Sequence, residues 1–326
     1  MRILVTGGSG FVGRHLLGHL ESQRHEAFFT RARSHSSESA RDHRHRPNTF
    51  ELRLPSEERS FEVLEAVRPD AVVHLAAVAF VRDAEADPAG ALATNLEGTV
   101  GLLRALGRHD PGGQVRFVFA STAQVYDARP EGGTHGVLQT EESPLWPQNL
   151  YAQTKLAAEL AANVLLKAQD RHGVIFRCFN HAGAGQNPLL VLSNFARQVA
   201  SLEAGRAPPV VGTGNLDVSR DFSSVHDIVE AYTLAAVGRV PAGTYNLASG
   251  VATPLREVVE VLRSMAKTSF EVEVRPEKLR PGEPMTVYGS YAKIQSACGW
   301  SPKIRLAEML REILDYWREE EKKSHG

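Results

Sequence analysis

Apolar and polar positions along the chain follow two periods that alternate with each other. Short runs of consecutive apolar residues, typical of strands buried in a parallel sheet, are separated by longer segments with the spacing of amphipathic helices. Predicted strands span residues 2–6, 26–30, 48–52, 71–74, 115–120, 174–177 and 243–247. One predicted helix ends near residue 20, and four others span residues 57–67, 88–109, 151–169 and 225–237. This alternation predicts an α/β fold with a doubly wound parallel sheet.

The first predicted strand continues directly into a glycine-rich turn at residues 7–13, followed by a helix. Glycines at 7, 10 and 13 permit a tight turn, let the backbone approach a pyrophosphate and let the helix pack closely on the strand. The phosphates would lie at the helix N-terminus. The turn therefore predicts a dinucleotide site in a Rossmann-type domain, formed by Gly7, Ser9, Gly10, Phe11, Val12 and Gly13.

The end of the second predicted strand bears on the choice of dinucleotide. It reads Thr30-Arg31-Ala32-Arg33-Ser34, without the carboxylate that usually binds the ribose hydroxyls of NAD. Guanidinium and hydroxyl groups bind a 2′-phosphate, so Arg31, Arg33 and Ser34 favour NADP(H), while NAD(H) remains possible. Small residues at the end of strand 71–74 are also expected beside the cofactor: Leu75, Ala76 and Ala77. The histidines of residues 41–46 lack a regular ligand spacing, so no metal site is predicted.

The composition argues against several other classes of protein. The chain has 326 residues, 42% apolar content and a formal net charge of -1, which disfavours binding to nucleic acids or anionic membranes. Its two cysteines, Cys178 and Cys298, fit a reducing cytoplasm and exclude a cysteine-rich metal site. No apolar run approaches the roughly 20 residues needed to span a bilayer, and no leader precedes the first strand. We therefore expect a cytoplasmic protein.

Tyr151 and Lys155 are the first candidates for catalysis. They stand four residues apart on a predicted helix, so the phenol and the ammonium share a face. A neighbouring cation lowers the pKa of a phenol, which would let Tyr151 exchange a proton with a carbonyl or hydroxyl. Thr122, just beyond strand 115–120, can hydrogen-bond the same oxygen. Asn95 is not a helix-favouring residue, which suggests a hydrogen-bonding role near the cleft, although a packing role is nearly as well supported.

Together, Gly7-x-x-Gly10-x-x-Gly13, Thr122 and Tyr151-x-x-x-Lys155 resemble the extended short-chain dehydrogenase/reductase family of nucleotide-sugar enzymes. The resemblance implies hydride transfer at a nicotinamide. Tyr151 would be the acid/base, Lys155 would lower its pKa and hold the nicotinamide ribose, and Thr122 would polarise the sugar carbonyl. Asn95 would have a supporting place in the same network.

Motifs in the second half are similar to the GDP-4-keto-6-deoxy-D-mannose reductases of this family, and two of them also to its GDP-mannose 4,6-dehydratases. These motifs span residues 178–181, 183–186, 193–198, 214–222 and 279–284. Arginines at 220 and 280 suit a diphosphate clamp, though arginines on a solvated face are the alternative for each. The expected substrate-binding residues are Thr122, Gln124, Asn180, Asn194, Arg197, Arg220, Arg280 and Glu283.

The expected reaction is NADPH-dependent reduction of the C4 ketone of a nucleotide-linked 4-keto-6-deoxyhexose, with GDP-4-keto-6-deoxy-D-mannose giving GDP-D-rhamnose. The dehydratases have an acidic residue just after the catalytic hydroxyl, whereas this chain has Ala123-Gln124, neither of which is a general base. Two alternatives remain open at this point. One is an NAD-dependent C4 epimerase of a nucleotide-hexose, and the other is a dinucleotide-binding sensor or scaffold without turnover.

The order of elements predicts two domains. Residues 1–178 with about 225–250 would form the NADP-binding Rossmann domain, and about 179–224 with 251–326 would form a smaller α/β domain that binds the nucleotide sugar. The family resemblance implies a homodimer in which the helices at about 90–109 and 150–169 form a four-helix bundle. A monomer that buries the apolar faces of these helices internally is the alternative.

Overall fold

The computed structural model describes residues 1–32, 48–129, 136–279 and 282–323. In these residues the strands are β1 Arg2–Thr6, β2 Glu26–Arg31, β3 Thr49–Glu51, β4 Ala71–His74, β5 Arg116–Thr122, β6 Leu138–Gln139, β7 Gly173–Cys178, β8 Asn180–Ala182, β9 Val210–Thr213, β10 Ser219–Arg220, β11 Phe222–Ser224, β12 Gly243–Leu247, β13 Thr253–Pro254, β14 Glu271–Val274 and β15 Thr286–Gly289. The helices are α1 Phe11–Ser22, α2 Glu57–Val67, α3 Val81–Ala86, α4 Pro88–Leu92, α5 Gly98–His109, α6 Leu150–Ala168, α7 Val191–Glu203, α8 Val225–Ala236, α9 Leu255–Met265, α10 Ala292–Cys298 and α11 Leu306–Lys323.

A seven-stranded parallel sheet organises the larger part of the molecule, with the strand order β12-β7-β5-β4-β1-β2-β3. The chain proceeds outward from β1 in one direction and from β4 in the other. The sheet therefore reverses its strand order between β1 and β4, and in such sheets a ligand crevice opens there, at the carboxyl ends of the strands. The predicted Rossmann-type doubly wound fold is confirmed.

Helices cover both faces of this sheet. On one face, α1 and α8 pack against it through an apolar cluster that includes Leu16, Phe176 and Ile228. On the other face, α2, α5 and α6 pack through a second cluster that includes Leu64 and Leu103. Because both faces are covered, the central strands are buried on both sides, which explains continuous apolar runs such as residues 3–5 of β1 and 71–73 of β4.

The smaller part of the fold contains a four-stranded sheet with the order β13-β10-β15-β6 and two strand pairs, β11 with β8 and β14 with β9. Helices α7, α9 and α11 enclose its own apolar cluster, which includes Val199, Val258 and Leu310. No helix in the described part of the chain is long and apolar enough to cross a membrane.

Two elements differ from their predicted form. The single helix predicted at 88–109 is divided into α4, a π-helical turn at Ala93–Glu97, and α5. The Thr99 hydroxyl donates to the Asn95 carbonyl at 2.6 Å, and the Asn95 side chain bonds outside its helix, so local side-chain bonding accompanies the widened turn. Strand β5 extends two residues beyond its predicted end, so that Thr122 is its last residue.

Candidate active site

The glycine-rich turn between β1 and α1 has no room for a side chain at Gly7 or Gly13. Gly7 has φ +70°, and a Cβ built there would lie 2.8 Å from the Ala76 backbone. A Cβ at Gly13 would lie 2.6 Å from Gly8 Cα. Gly10 caps α1 without a side-chain hydrogen bond, which leaves the amides at this helix N-terminus available to an anion. Ser9 is exposed beside them, and Phe11 and Val12 are partly buried.

The segment after β4 lies against this turn and is fixed by hydrogen bonds. Leu75 N donates to Thr6 O at 3.2 Å, and Ala76 N donates to Thr6 Oγ1 at 3.4 Å. Val78 N donates to Asn95 Oδ1 at 2.8 Å, and Asn95 Nδ2 donates back to Val78 O at 3.1 Å. The buried Asn95 therefore orients the segment that includes the predicted cofactor residues Leu75, Ala76 and Ala77. Its Nδ2 also donates to Thr154 Oγ1 on α6 at 2.9 Å.

His74, at the end of β4, is held as a neutral imidazole beneath this segment. Its Nε2 is 3.1 Å from Thr99 Oγ1, and its Nδ1 is 2.6 Å from Thr6 Oγ1. Because the Thr99 hydroxyl donates to the Asn95 carbonyl, it accepts from Nε2, and Nδ1 accepts from Thr6. Burial lowers the pKa of His74 to about 3, with the Lys155 charge acting in the same direction. These contacts make His74 a structural residue.

Arg31, the last residue of β2, has a buried Nε without a hydrogen-bond partner. Its Nη2 lies 3.7 Å from Glu51, whose side chain is half exposed. An orphaned donor on a cation is a site that an anionic oxygen can satisfy. Arg33 and Ser34, and the 41–46 stretch, fall outside the described residues. The glycine cradle, the uncapped helix terminus and the Arg31 donor together fit a dinucleotide with a 2′-phosphate.

Thr122 and Tyr151 meet at the carboxyl end of β5. Asn149 caps α6 by accepting from Ala152 N at 2.9 Å, which places Tyr151 in the first turn of the helix. The Tyr151 phenol lies close enough to the Thr122 hydroxyl for that group to lower its pKa, against the larger effect of burial. Gln124 follows Thr122, is exposed, and accepts from Asn149 Nδ2 at 2.9 Å. The structure thus brings these three predicted residues to one edge of the sheet.

Lys155 lies one turn after Tyr151 and is 3% exposed. Its Nζ lies 4.1 Å from the centre of the Phe119 ring. Burial lowers the pKa of Lys155 to about 8, against the opposing effects of Cys178 and Glu159. Burial also raises the pKa of Tyr151 to about 12, although the Thr122 hydrogen bond opposes this effect. The sequence predicts a phenol made more acidic by its cation. In the protein alone that expectation is wrong, because burial dominates.

Arg220 and Glu283, two predicted substrate residues, form an ion pair in the smaller part of the fold. Arg220 Nη2 donates to Glu283 Oε1 at 2.7 Å, and its Nη1 donates to Ser219 O at 2.8 Å. Asn180 is exposed, and its Nδ2 donates to Asp221 O at 3.3 Å. Arg280 falls outside the described residues. The structure therefore places Arg220 and Glu283 together and puts Asn180 beside the residue that follows Arg220.

Asn194 and Arg197 lie on α7, and their surroundings differ. Asn194 Nδ2 donates to Pro188 O at 2.9 Å, and Asn194 Oδ1 accepts from Gln198 Nε2 at 2.8 Å. Arg197 is exposed. The pKa of Lys278 is lowered mainly by burial, and the positive charges of Arg275 and Arg197 lower it further. Asn194 is thus engaged within its own segment, whereas Arg197 belongs to a group of cations.

Sequence analysis missed several buried polar residues around the candidate site. Glu159 and Arg177 form an ion pair directly beneath the catalytic edge. Asp221 accepts from Ser249 N at 2.7 Å and Gly250 N at 3.0 Å, which ties β10 and β11 to the loop after β12. Cys178 is the Cα partner of Thr122 across β5 and β7, and its Sγ lies 3.3 Å from Tyr232 Oη. Cys178 and Asp221 fall within the motifs at 178–181 and 214–222, and Glu159 follows Lys155 by four residues, but these signals did not indicate a role for any of the three.

The chain was compared with known proteins. The GDP-mannose 4,6-dehydratase family matches residues 4–313. GDP-6-deoxy-D-mannose reductase of Pseudomonas aeruginosa is 34% identical over 97% of each chain. The structure of RMD from Pseudomonas aeruginosa complexed with NADPH has 31% identity and a TM-score of 0.80, covering 98% of this chain and 100% of that one. UDP-glucose 4-epimerase of Thermus thermophilus, complexed with NAD, has 29% identity and a TM-score of 0.82, covering 98% and 99%.

The family match covers almost the whole chain, and structures of relatives share its fold. The chain belongs to the GDP-mannose 4,6-dehydratase family and is an NAD(P)-dependent nucleotide-sugar enzyme of the extended short-chain dehydrogenase/reductase type.

Proposed function

We propose that this protein is an NADPH-dependent reductase that converts GDP-4-keto-6-deoxy-D-mannose to GDP-D-rhamnose. The observation that carries the proposal is the interaction of the Thr122 hydroxyl with the Tyr151 phenol at the carboxyl end of β5, one helical turn before the buried Lys155. A ketone oxygen placed between the two hydroxyls would accept a hydrogen bond from each. Both donors lie on regular elements, which hold them in place for the reaction.

The proposed reaction needs a proton at the sugar oxygen as the C4 ketone becomes an alcohol. Bound NADPH would supply the hydride to C4. Tyr151 would then give its proton to the developing alkoxide, and Thr122 would stabilise the charge on that oxygen. With its pKa raised to about 12, Tyr151 is protonated at neutral pH and can act as the acid in the reductive direction. Lys155 would hold the nicotinamide ribose and ease the return of a proton to the phenolate.

The cofactor is proposed to lie in the crevice between β1 and β4. Gly7, Ser9, Gly10 and the amides of Phe11, Val12 and Gly13 would hold the pyrophosphate at the N-terminus of α1. The Arg31 guanidinium, with its orphaned Nε, would bind the 2′-phosphate, with Arg33 and Ser34 adding to it. A relative of similar fold is complexed with NADPH, which supports this choice.

For the substrate we propose a diphosphate clamp built around Arg220. Its ion pair with Glu283 is partly exposed, so a diphosphate can compete with the carboxylate for the guanidinium. Asn180, Asn194, Arg197 and Arg280 are proposed to contact the nucleotide or its phosphates. The base is proposed to be guanine, because a relative of 34% identity is a GDP-6-deoxy-D-mannose reductase.

The residues beside Thr122 favour reduction over dehydration. Loss of water from the sugar requires a base near C5, and the two residues after Thr122 are Ala123 and Gln124. The Gln124 carbonyl oxygen accepts from Asn149 Nδ2, and an amide does not exchange protons at neutral pH. We therefore propose that this member of the GDP-mannose 4,6-dehydratase family is a reductase and not a dehydratase.

The proposal is tested by mixing purified protein, NADPH and enzymatically prepared GDP-4-keto-6-deoxy-D-mannose, and following NADPH absorbance and the sugar product. Consumption of NADPH that depends on the keto sugar, and that Tyr151→Phe abolishes, is expected. The Tyr245→Phe variant is a matched control, because Tyr245 is a buried tyrosine of β12 whose phenol donates to Pro241 O at 3.0 Å, in the loop before that strand. Full turnover by Tyr151→Phe would contradict the proposal.

A C4 epimerase of a nucleotide-hexose is the second candidate. It is favoured by the likeness to a UDP-glucose 4-epimerase complexed with NAD, at 29% identity over 98% of this chain. Epimerisation returns the hydride to the same sugar, so the enzyme would retain its cofactor and consume none. Two measurements distinguish the candidates: the identity of the dinucleotide released when the purified protein is denatured, and an assay for epimerisation of UDP-glucose. Release of NAD together with epimerisation of UDP-glucose would favour the epimerase.

We also propose the domain division and the assembly. Residues 1–178 with about 225–250 would bind the cofactor, and about 179–224 with 251–326 would bind the nucleotide sugar, with the reaction between them. The outer face of α6 exposes Leu160 and Val164, which are 55% and 68% exposed and lie one turn apart. This face is proposed to pair with its counterpart in a homodimer.

A further inference from the structure

Directly beneath the catalytic edge lies a buried network that connects five segments of the chain. Glu159, one turn after Lys155 on α6, is 1% exposed in its side chain, and Arg177 on β7 is 8% exposed. Arg177 Nη2 donates to Glu159 Oε1 at 2.6 Å, and its Nε donates to the same oxygen at 3.0 Å. Ser121 Oγ donates to the other carboxylate oxygen at 2.7 Å. The carboxylate is thus bound by two adjacent strands.

The strand register explains why these groups meet. Ser121 and Arg177 are Cα partners on the parallel strands β5 and β7, and each directly precedes a residue of the catalytic edge. Because successive side chains on a strand point to opposite faces, Ser121 and Arg177 share the face covered by α6. Glu159 therefore joins the catalytic helix to the two strands that bear Thr122 and Cys178.

Arg177 also extends away from α6 toward the segment at 136–149, which leads into that helix. Its Nη1 donates to Glu141 O and to Tyr126 Oη, both at 3.2 Å. The Tyr126 phenol donates to Asn246 Oδ1 at 2.6 Å. Asn246 in turn donates from Nδ2 to Gln139 O at 3.2 Å and from its backbone N to Glu141 Oε1 at 2.7 Å. The guanidinium thus connects α6 to the segment that precedes it.

Tyr151 lies between these two attachments in the chain. Glu141 and Gln139 anchor the residues before it, and Glu159 anchors the helix after it. We propose that Glu159 and Arg177 are positioning residues, which fix the chain on both sides of Tyr151 and so keep its phenol in contact with Thr122. Neither side chain is among the residues proposed to bind cofactor or substrate. The inference rests on the proposed function only for the experiments that measure turnover.

A buried ion pair is a weak source of stability, because the attraction only offsets the cost of removing both charges from water. The pair is better suited to fixing the positions of the groups it joins, because the donors of the planar guanidinium define both the distance and the angle to the carboxylate. Displacing a catalytic group by about 1 Å can reduce turnover by about 100-fold. Loss of the Glu159 contact is therefore expected to affect the rate more than the binding of cofactor.

The chain supplies a matched control. Arg171 is fully buried, and its Nη1 donates to Asp110 Oδ2 at 2.8 Å. The Asp110 side chain is 15% exposed, and Arg171 Nη1 also donates to Val115 O, which fixes the loop before β5 at the opposite end of the sheet from Tyr151. Asp110→Asn therefore weakens a comparable pair without touching the catalytic edge.

The experiment compares Glu159→Gln, Arg177→Lys and Asp110→Asn with the unmodified protein. Glu159→Gln and Arg177→Lys are expected to lower kcat about 100-fold while the Kd for NADPH, from fluorescence titration, stays the same. Asp110→Asn is expected to lower the Tm and leave kcat unchanged. An unchanged kcat in Glu159→Gln with a similar loss of Tm would overturn the proposal. If Glu159→Gln does not fold, Arg177→Lys decides, because it keeps the charge and loses the fork.

A second measurement does not depend on turnover. Hydrogen exchange of the amides in residues 139–149 and of Asn246 is expected to accelerate in Arg177→Lys and to remain unchanged in Asp110→Asn. Unchanged exchange in Arg177→Lys would overturn the positioning role. If the unmodified protein does not turn over the GDP-keto sugar, the proposed reaction fails, and hydrogen exchange still tests the attachment around Tyr151.

Discussion

The ammonium of Lys155 lies 4.1 Å from the centre of the Phe119 ring, in a position that is almost closed to solvent. A ring face attracts a cation but does not replace the water lost on burial. Burial therefore lowers the pKa of Lys155 to about 8, even though the neighbouring Cys178 and Glu159 oppose that shift. The protein holds a charge at its catalytic edge at a cost to its own stability.

Lys155→Met is expected to stabilise the protein at pH 7 while abolishing turnover. An unfolded lysine titrates near 10.4, so between about pH 8 and pH 10.4 the unfolded state binds more protons and stability rises with pH. Well below pH 8 the full penalty is present, about 3 kcal/mol for a pKa lowered from about 10.4 to about 8. Denaturant unfolding should give a higher free energy of unfolding for Lys155→Met than for the unmodified protein at pH 7. At pH 10 most of this difference should be gone.

Lys167→Met is the matched control for this prediction, because Lys167 is exposed on the same helix. It should leave stability unchanged at both pH values. Equal unfolding free energies for Lys155→Met and the unmodified protein at pH 7 would show that the buried ammonium is compensated by its surroundings.

Thr122→Val and Tyr151→Phe should reduce turnover by different amounts. Proton transfer by a positioned side chain contributes roughly 10²–10⁴-fold to a rate. Tyr151→Phe removes the proton that the alkoxide needs, whereas Thr122→Val removes one of two hydrogen bonds to the same oxygen. We expect the larger loss in kcat for Tyr151→Phe, with NADPH binding retained in both. Steady-state kinetics with the keto sugar decides, and a larger loss in Thr122→Val would reverse the assigned roles.

Arg31→Ala is expected to lower the affinity for NADPH and to leave that for NADH nearly unchanged. The Arg31 guanidinium is proposed to bind the 2′-phosphate, which NADPH has and NADH lacks. Charge-assisted hydrogen bonds of this kind contribute about 1.5–3 kcal/mol, or roughly 10- to 150-fold in Kd. Fluorescence titration with both dinucleotides measures the ratio. Arg59→Ala is the control, because Arg59 is a cation on α2 that is paired with Glu62. An equal loss for both cofactors would remove Arg31 from the discrimination.

The sheet and its ligand edge were predictable from sequence because they depend on local patterns. The apolar run at 71–73 predicted β4 with its observed bounds, because every residue of this strand is buried. The glycine-rich turn was equally visible, because φ +70° at Gly7 and its approach to Ala76 exclude other residues.

The electrostatics of the edge could not be predicted in the same way. The pKa of Tyr151 depends on burial beneath segments that are distant in sequence, and so does the placement of Lys155 over Phe119. The Glu159 and Arg177 pair joins residues from different elements, and its partners are set by strand register. Spacing on one helix shows which side chains share a face, but not what packs against that face.

Val164→Asp is expected to convert the proposed homodimer into a monomer. Val164 and Leu160 are among the more exposed large apolar side chains of the described residues, and they lie one turn apart on the outer face of α6. If that face meets its copy, each new carboxylate is placed in an apolar contact without a partner, at a cost of roughly 3 kcal/mol or more, equivalent to at least about 100-fold in the dimer Kd. Sedimentation velocity across a range of protein concentrations measures the change. Val251→Asp, at a similarly exposed valine beyond β12, should leave the mass unchanged. A dimer that survives Val164→Asp, or an unmodified protein that sediments as a monomer at high concentration, would show that this face does not mediate assembly.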